Sequence, residues 1–193
     1  MSIDFLISIL ENIENPKRVN RQTAANIVLD RPELLEYVVK ITFDVDDKLS
    51  IKAAWILEWI CTHHGIVYIT PYLDSFTANL KNLHFDSAIR PCAKICEHIA
   101  VQYTSKKDNE IKMCLSQHHI DVLVEIGFDW LITEQKIAVR AYTMNMLYLL
   151  GLHRNWVHKE LEHLIRSKII HESKGCKARG QKILALLKEN NLS

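Results

Sequence analysis

Residues 48–65 read KLSIKAAWILEWICTHHG, and this stretch decides the fold class. Its apolar residues recur at spacings of three and four, which is the period of a helix. Asp46 and Asp47 precede it as residues typical of a helix start, and Gly65 follows it as a typical helix terminator. The stretch therefore predicts a helix from Lys48 to His64.

The same helical spacing continues along almost the whole chain. No segment shows the sustained alternation of a half-buried strand, and KITFDV (residues 40–45) is interpreted as a helix end followed by a loop. Only 5 Gly and 4 Pro are present, which favours long helices over a fold with many tight turns. The predicted helices cover about residues 2–14, 15–29, 33–42, 48–64, 71–80, 87–103, 116–132, 135–150, 156–169 and 174–189.

Helix starts are predicted from cap-type residues, and one long polar connection is predicted between helices. The stretch TSKKDNEIK (residues 104–112) is the most polar of the chain and is interpreted as a long loop or a frayed helix end. The predicted N-caps are Ser2, Asp30, Asp86 and Ser116.

A basic residue followed by small and then apolar residues recurs on every second predicted helix. The longest interval, between Arg90 and Arg140, contains the polar connection, which is typical of an insertion between repeat units. Each helix pair cannot bury its apolar face alone, so neighbouring pairs are expected to stack. The five basic residues are Arg21, Lys52, Arg90, Arg140 and Arg179.

These segments resemble the HEAT repeat, in which an acidic residue lies six positions before the basic residue on the second helix. The residues at that position here are Asn15, Asp46, His84, Glu134 and Ser173. Ile51-Lys52-Ala53-Ala54 and Val139-Arg140-Ala141 match the pattern best, whereas the segments containing Asn15 and Gly180 depart from it. The resemblance implies an all-α, HEAT/armadillo-like superhelix of about five helix pairs. Residues 1–193 would form one repeat domain, with an insertion or long loop around residues 104–116.

A second resemblance is to a small bacterial family whose members are often labelled adenylosuccinate lyase. It depends on the tracts KAAWILE (52–58), FDSAIRPCAKICE (85–97), FDWLI (128–132) and LYLLG (147–151). Lyases of that superfamily are much longer and carry a loop of the type Ser-Ser-x-Met-Pro-x-Lys-x-Asn. That loop is absent because no proline of this chain follows a methionine; Pro16, Pro32, Pro71 and Pro91 follow Asn, Arg, Thr and Arg.

Composition limits the classes of partner and the compartment. The formal net charge is +1, from 24 Lys+Arg and 23 Asp+Glu, so the chain lacks the overall basic excess typical of nucleic-acid-binding proteins. No apolar run approaches the ~20 residues of a membrane span, and the N-terminus lacks the basic region of a secretion signal. Five cysteines without a framework pattern indicate free thiols, which favours a cytoplasmic protein.

Cysteine and histidine clusters raise the question of a metal site. Cys92 and Cys96 share a helix face near His98, and Cys61 precedes His63. Structural zinc sites pair two such motifs, and no second pair stands at a recognisable distance. Core packing is therefore the favoured interpretation, and no metal or cofactor is predicted.

Enzymatic motifs are also missing from the sequence. The segment GCKARGQK (175–182) resembles a phosphate-binding loop only superficially, because no strand precedes it and no Ser or Thr follows the lysine. No G-x-S-x-G motif is present. A non-enzymatic protein is therefore favoured.

The remaining candidates are tryptophans and the basic residues of the repeat. A tryptophan is expected to be a buried anchor between repeats or, if it is exposed, a hot spot of an interface. The basic residues either bond to their own or the next repeat or bind an acidic peptide or a phosphate. The candidate interaction surface comprises Lys52, Trp59, Arg90, Trp130, Arg140 and Arg179.

The sequence is compatible with three functions. The favoured one is a scaffold whose concave surface holds a protein or peptide partner. The first alternative is a HEAT-like nucleic-acid-binding or DNA-repair protein, since glycosylases of that architecture use Trp and Asp in a cleft, as in Asp129-Trp130. The second alternative is the lyase activity named by the label.

Overall fold

The computed structural model describes residues 3–190, and within them every regular element is helical. Short 3-10 segments lie at Ile66–Tyr72, Leu80–Asn82 and Gly151–His153, and a π-helical segment lies at Ile165–Ile169. The helices are α1 Ile3–Glu11, α2 Arg18–Leu29, α3 Leu34–Thr42, α4 Leu49–His63, α5 Leu73–Asn79, α6 Asp86–Tyr103, α7 Glu110–Cys114, α8 Gln117–Ile132, α9 Ile137–Leu150, α10 Asn155–Leu164, α11 Ile170–Glu172 and α12 Lys174–Glu189.

The helices lie where the apolar periodicity predicts them, with ends shifted by local backbone chemistry. The second helix begins at Arg18 rather than Asn15, because the Asn15 side chain accepts a hydrogen bond from the Lys17 amide in a turn. The fifth begins at Leu73, after a 3-10 segment that contains Pro71.

Some predicted caps are confirmed and others are wrong. Ser116 caps α8, and its hydroxyl accepts from the His119 amide while the His119 ring accepts from the Ser116 amide. Asp30 does not cap α3; it is the C-terminal cap of α2, and α3 begins after Glu33 without a side-chain cap. Asp86 is the first residue of α6. The predicted cap Ser2 lies outside the described residues.

Gly65 ends α4 with a left-handed backbone. Its φ is 129°, a region that side chains other than glycine rarely adopt, and its amide donates to the Ile60 carbonyl. The predicted helix terminator is confirmed.

The polar connection is partly helical. Asn109 caps α7 by accepting from the Lys112 amide, and the Asn109 amide group donates to the Gln102 carbonyl at the end of α6. Within the predicted insertion or long loop around residues 104–116, Glu110–Cys114 is therefore helical, because Asn109 caps it.

The chain divides into two compact units, one ending at Ile95 and one beginning at Cys96 within α6. In the first unit α3 packs on α4, α1 contacts α3 and α2 contacts α4. The core is aliphatic, with Leu6, Leu34, Ile56 and Phe76 fully buried. Helices that are not consecutive in the chain are therefore in contact within this unit.

The second unit is also built from packed helices. Here α8 packs on α9, α8 contacts α10 and α9 contacts α12. Gly127 allows close approach of α8 and α9, because a Cβ there would lie 2.6 Å from Met146 Cε. Gly151 similarly makes room for the buried ring of His158, whose Nε2 bonds to the Tyr148 carbonyl at 2.7 Å.

In the described part of the chain, none of the helices is both long enough and apolar enough to cross a membrane.

Candidate functional site

Two of the four candidate basic residues tie helix ends together. The Lys52 ammonium group donates to the carbonyl of Glu11, the last residue of α1. Arg140, 3% exposed, donates to the Leu131 and Thr133 carbonyls at the end of α8 and pairs with Glu172 at 2.8 Å. Both therefore satisfy carbonyl groups that a helix end leaves without partners.

The other two basic residues differ from this pattern. Arg90 is exposed on α6, and Arg179 is half-buried on α12. Within residues 3–190, neither side chain forms an ion pair. Of these four candidates, Lys52 and Arg140 thus have the structural role that the repeat suggests.

The candidate tryptophans are buried. The indole of Trp59 is 3% exposed and that of Trp130 is 4% exposed, which places both in the helical core of the chain described here. Trp55 is half-buried, and its Nε1 donates to the Ser87 carbonyl at the start of α6. The exposed tryptophan is Trp156, at 58%.

A buried carboxylate in the first unit joins three helices. Glu58 on α4 has a side chain that is 2% exposed, and it receives Arg21 Nη1 from α2 at 2.9 Å and Lys94 Nζ from α6 at 2.5 Å. The Thr62 hydroxyl, one turn further along α4, also donates to it at 3.0 Å. Both carboxylate oxygens are therefore hydrogen-bonded to cations.

Two arginines, Arg21 and Arg18, lie beside the ring of Trp59. The Arg21 guanidinium carbon is 5.0 Å from the ring centre and that of Arg18 is 5.8 Å from it. His63 stacks on the ring with centroids 3.8 Å apart, while its Nδ1–H donates to the Trp59 carbonyl. We call the following six residues the Glu58 cluster: Arg18, Arg21, Glu58, Trp59, His63 and Lys94.

The electrostatics of the cluster keep Glu58 ionised. Burial raises the pKa of Glu58, but the hydrogen bond and charge of Lys94, the hydrogen bond from Thr62 and the charge of Arg21 outweigh it, so the pKa lies below the ordinary 4.5. A carboxylate of this kind is a poor general acid near neutral pH, since it does not hold a proton there. Its chemistry is that of a fixed anion.

The buried thiols of Cys61 and Cys92 are unreactive because their pKa values are raised. Burial raises the pKa of Cys61, with a further contribution from the charge of Glu58, and burial together with Cys61 raises that of Cys92. The thiolate is the form that attacks or binds metal, so neither group is activated. Among residues 3–190, no three His, Cys, Asp or Glu side chains lie in an arrangement that could hold a metal ion.

An aromatic pair with one exposed member, Trp156, lies on the second unit. Phe128 of α8 and Trp156 of α10 stack with ring centres 5.8 Å apart. Ile132, one turn beyond Phe128, is 56% exposed, and Glu125, one turn before it, is exposed. We call Glu125, Phe128, Ile132 and Trp156 the Trp156 surface.

An acidic edge continues the Trp156 surface along α8. Asp121, Glu125, Phe128 and Ile132 recur at spacings of three and four, so they form one row on the helix. The outermost carboxylate, Asp121, pairs with Arg154 at 2.9 Å, just before α10. The row thus passes from acidic to apolar over about three turns.

Sequence reasoning missed both clusters, although one signal existed. Glu58 is the only acidic residue of α4, and an acid on an apolar helix is expected to be paired. Arg21 is one of the five repeated basic residues. Lys94 is not one of them, because it lies one turn after the repeated residue Arg90. Nothing in the sequence distinguishes the exposed Trp156 from the buried tryptophans.

The chain matches no protein-family model, no curated protein and no solved structure.

Proposed function

We propose that this protein is a non-enzymatic interaction module that holds a protein or peptide partner on the Trp156 surface. The observation that carries the proposal is the 58% exposed indole stacked on Phe128. Tryptophan is strongly enriched among the residues that dominate binding energy at interfaces, because it buries a large rigid area at little entropic cost. Single exposed apolar residues are ordinary on a protein surface, but here Phe128, Ile132 and Trp156 belong to one surface.

The acidic edge defines the chemistry of the partner. Glu125 is exposed beside the apolar end of the row, so a complementary segment carries a Lys or Arg next to an apolar side chain. The indole adds to this preference, since a cation over an aromatic face is attracted by its electrons. The partner is therefore a cationic, partly apolar peptide segment.

We also infer that the helix pairs stack as in a HEAT-like solenoid. The contacts between helices that are not consecutive within each unit, α1 with α3, α2 with α4, α8 with α10 and α9 with α12, support that arrangement. Stacked pairs present rigid helix faces, which suits a binding role.

A cytoplasmic location belongs to the same proposal. Cys61, Cys92 and Cys176 are buried as free thiols, which suits a reducing compartment.

Site-specific photo-cross-linking tests the proposal. A photoreactive residue at position 156 is expected to capture a partner from cells, and the same residue at Met113, which is 76% exposed on α7, is the control. The captured segment is then synthesised, and its affinity is measured for the wild type, Trp156→Ala and Met113→Ala. We expect Trp156→Ala to weaken binding at least ~10-fold and Met113→Ala to leave it unchanged.

Equal cross-linking from both positions, or unchanged affinity of Trp156→Ala, would contradict the proposal. Two assays decide between it and the alternatives. Binding of duplex DNA that weakens steeply with salt would favour a nucleic-acid function, and release of fumarate from adenylosuccinate would favour the lyase.

A further inference from the structure

The Glu58 cluster carries more positive than negative charge. Arg21 and Lys94 both bond to Glu58, and Arg18 lies over the same indole as Arg21. One carboxylate neutralises one of these three cations. Glu97, the next acidic residue along α6, accepts a hydrogen bond from Asn145 and belongs to the second unit.

The polar atoms of the cluster that lack partners are all donors. Arg21 Nε and Trp59 Nε1 are buried without a hydrogen-bond partner among the described residues. The acceptors are occupied, since Glu58 Oε1 receives Lys94 and Thr62, Glu58 Oε2 receives Arg21, and the Trp59 carbonyl receives His63. Buried donors without partners are costly, so the cluster is short of acceptors as well as of negative charge.

The cations remain accessible from solvent. The side chain of Arg21 is 20% exposed and that of Lys94 is 23% exposed, although the carboxylate between them is only 2% exposed. An ammonium group has three N–H donors and a guanidinium has five, so each cation has donors left after binding Glu58. A ligand can therefore reach these donors without displacing Glu58.

We propose that the Glu58 cluster binds an oxyanion, the phosphate or carboxylate group of a ligand, between Arg21 and Lys94 with Arg18 at its edge. The bound group supplies a second negative charge, and its bonds to the accessible donors of Arg21 and Lys94 are charge-assisted. Glu58 fixes the two cations in place beforehand, which lowers the entropic cost of binding. The site is on the first unit and does not depend on the Trp156 surface.

Titration with simple anions tests the site. ¹⁵N-labelled protein is titrated with sodium phosphate and, separately, with sodium acetate, with sodium chloride added to hold the ionic strength constant. The signal is the indole N–H resonance of Trp59, assigned with Trp59→Phe. We expect this resonance to shift and to saturate, with a millimolar dissociation constant, and the tighter anion identifies the ligand group as phosphate or carboxylate.

Two variants and a control make the test specific. Arg21→Gln removes a central cation, and Arg18→Gln removes an exposed one whose loss leaves the Glu58 ion pairs intact. We expect both to weaken anion binding at least fivefold, whereas Arg90→Gln, an exposed arginine of α6, has no effect. A linear shift without saturation, the same affinity in Arg18→Gln and Arg90→Gln, or no shift with either anion would overturn the proposal.

Discussion

At the scale of single residues, Glu58 shows how far a sequence can predict a buried charge. An acidic residue between Leu57 and Trp59 in an apolar helix has to be paired, because a buried charge without a partner is very costly. Its burial and pairing are therefore predictable. Its partners are not, because Arg21 and Lys94 lie 37 and 36 positions away in the chain.

The tryptophans show that their burial could not be predicted from the sequence. Trp59, Trp130 and Trp156 all lie within helices, yet two are buried and one is exposed. Which face of a helix is covered depends on neighbours that pack from elsewhere in the chain. The sequence therefore predicted that tryptophans matter but placed the candidate surface on the buried ones.

The Glu58→Gln substitution is expected to destabilise the protein by about 3 kcal/mol at neutral pH, because it leaves two cations partly buried without their anion. The measurement is urea-induced unfolding followed by circular dichroism. Glu14→Gln, at an exposed glutamate before α2, is the control and should change the free energy of unfolding by less than ~0.5 kcal/mol. A loss for Glu58→Gln no larger than for the control would show that the carboxylate contributes no net stability.

The same pair of proteins gives the pH dependence. Folding lowers the pKa of Glu58 from its ordinary 4.5, so the ionised carboxylate stabilises the folded state above that value. This contribution is lost as the pH falls through the lower pKa of the folded state. The difference in stability between wild type and Glu58→Gln should therefore be constant near neutral pH and shrink in acid; a difference that grows in acid would contradict the lowered pKa.

At the scale of helices, a predicted N-cap is confirmed where the backbone of a short polar residue is extended. Ser116 has φ −77° and ψ 164°, which lets its hydroxyl reach the His119 amide. Asp30 failed as a cap because the chain turns through three more residues, and Glu33, with φ −62° and ψ −18°, is already helical. The dihedral angles, rather than the residue type alone, decide which candidate forms the cap.

Ser116→Ala is expected to destabilise the protein by about 1 kcal/mol, because it removes the hydroxyl half of a capping box at the start of α8. Thermal and urea unfolding measure the change. The control is Ser167→Ala, whose hydroxyl only donates to the His163 carbonyl within an exposed stretch. Equal effects of the two substitutions would mean that the cap adds nothing to the stability of α8.

At the scale of the whole molecule, helices that are not consecutive in the chain contact one another within each unit. The division of the chain at Ile95 was not predictable, since α6 reads as one uninterrupted helix from Asp86 to Tyr103. Periodicity reports which face of each helix is apolar, but not how many neighbours each helix has. The number of long-range partners therefore had to come from the structure.

A stack of helix pairs predicts that stability is local, because each pair contacts only its neighbours. Hydrogen exchange followed by mass spectrometry tests this with one disruptive substitution in each unit. Glu58→Gln should speed amide exchange in α2 and α4 and leave α9 and α12 protected. Arg140→Ala, which frees the end of α8 and Glu172, should do the reverse. Equal loss of protection in both units from either substitution would show instead that the chain unfolds as one cooperative block, and Glu14→Gln should leave both patterns unchanged.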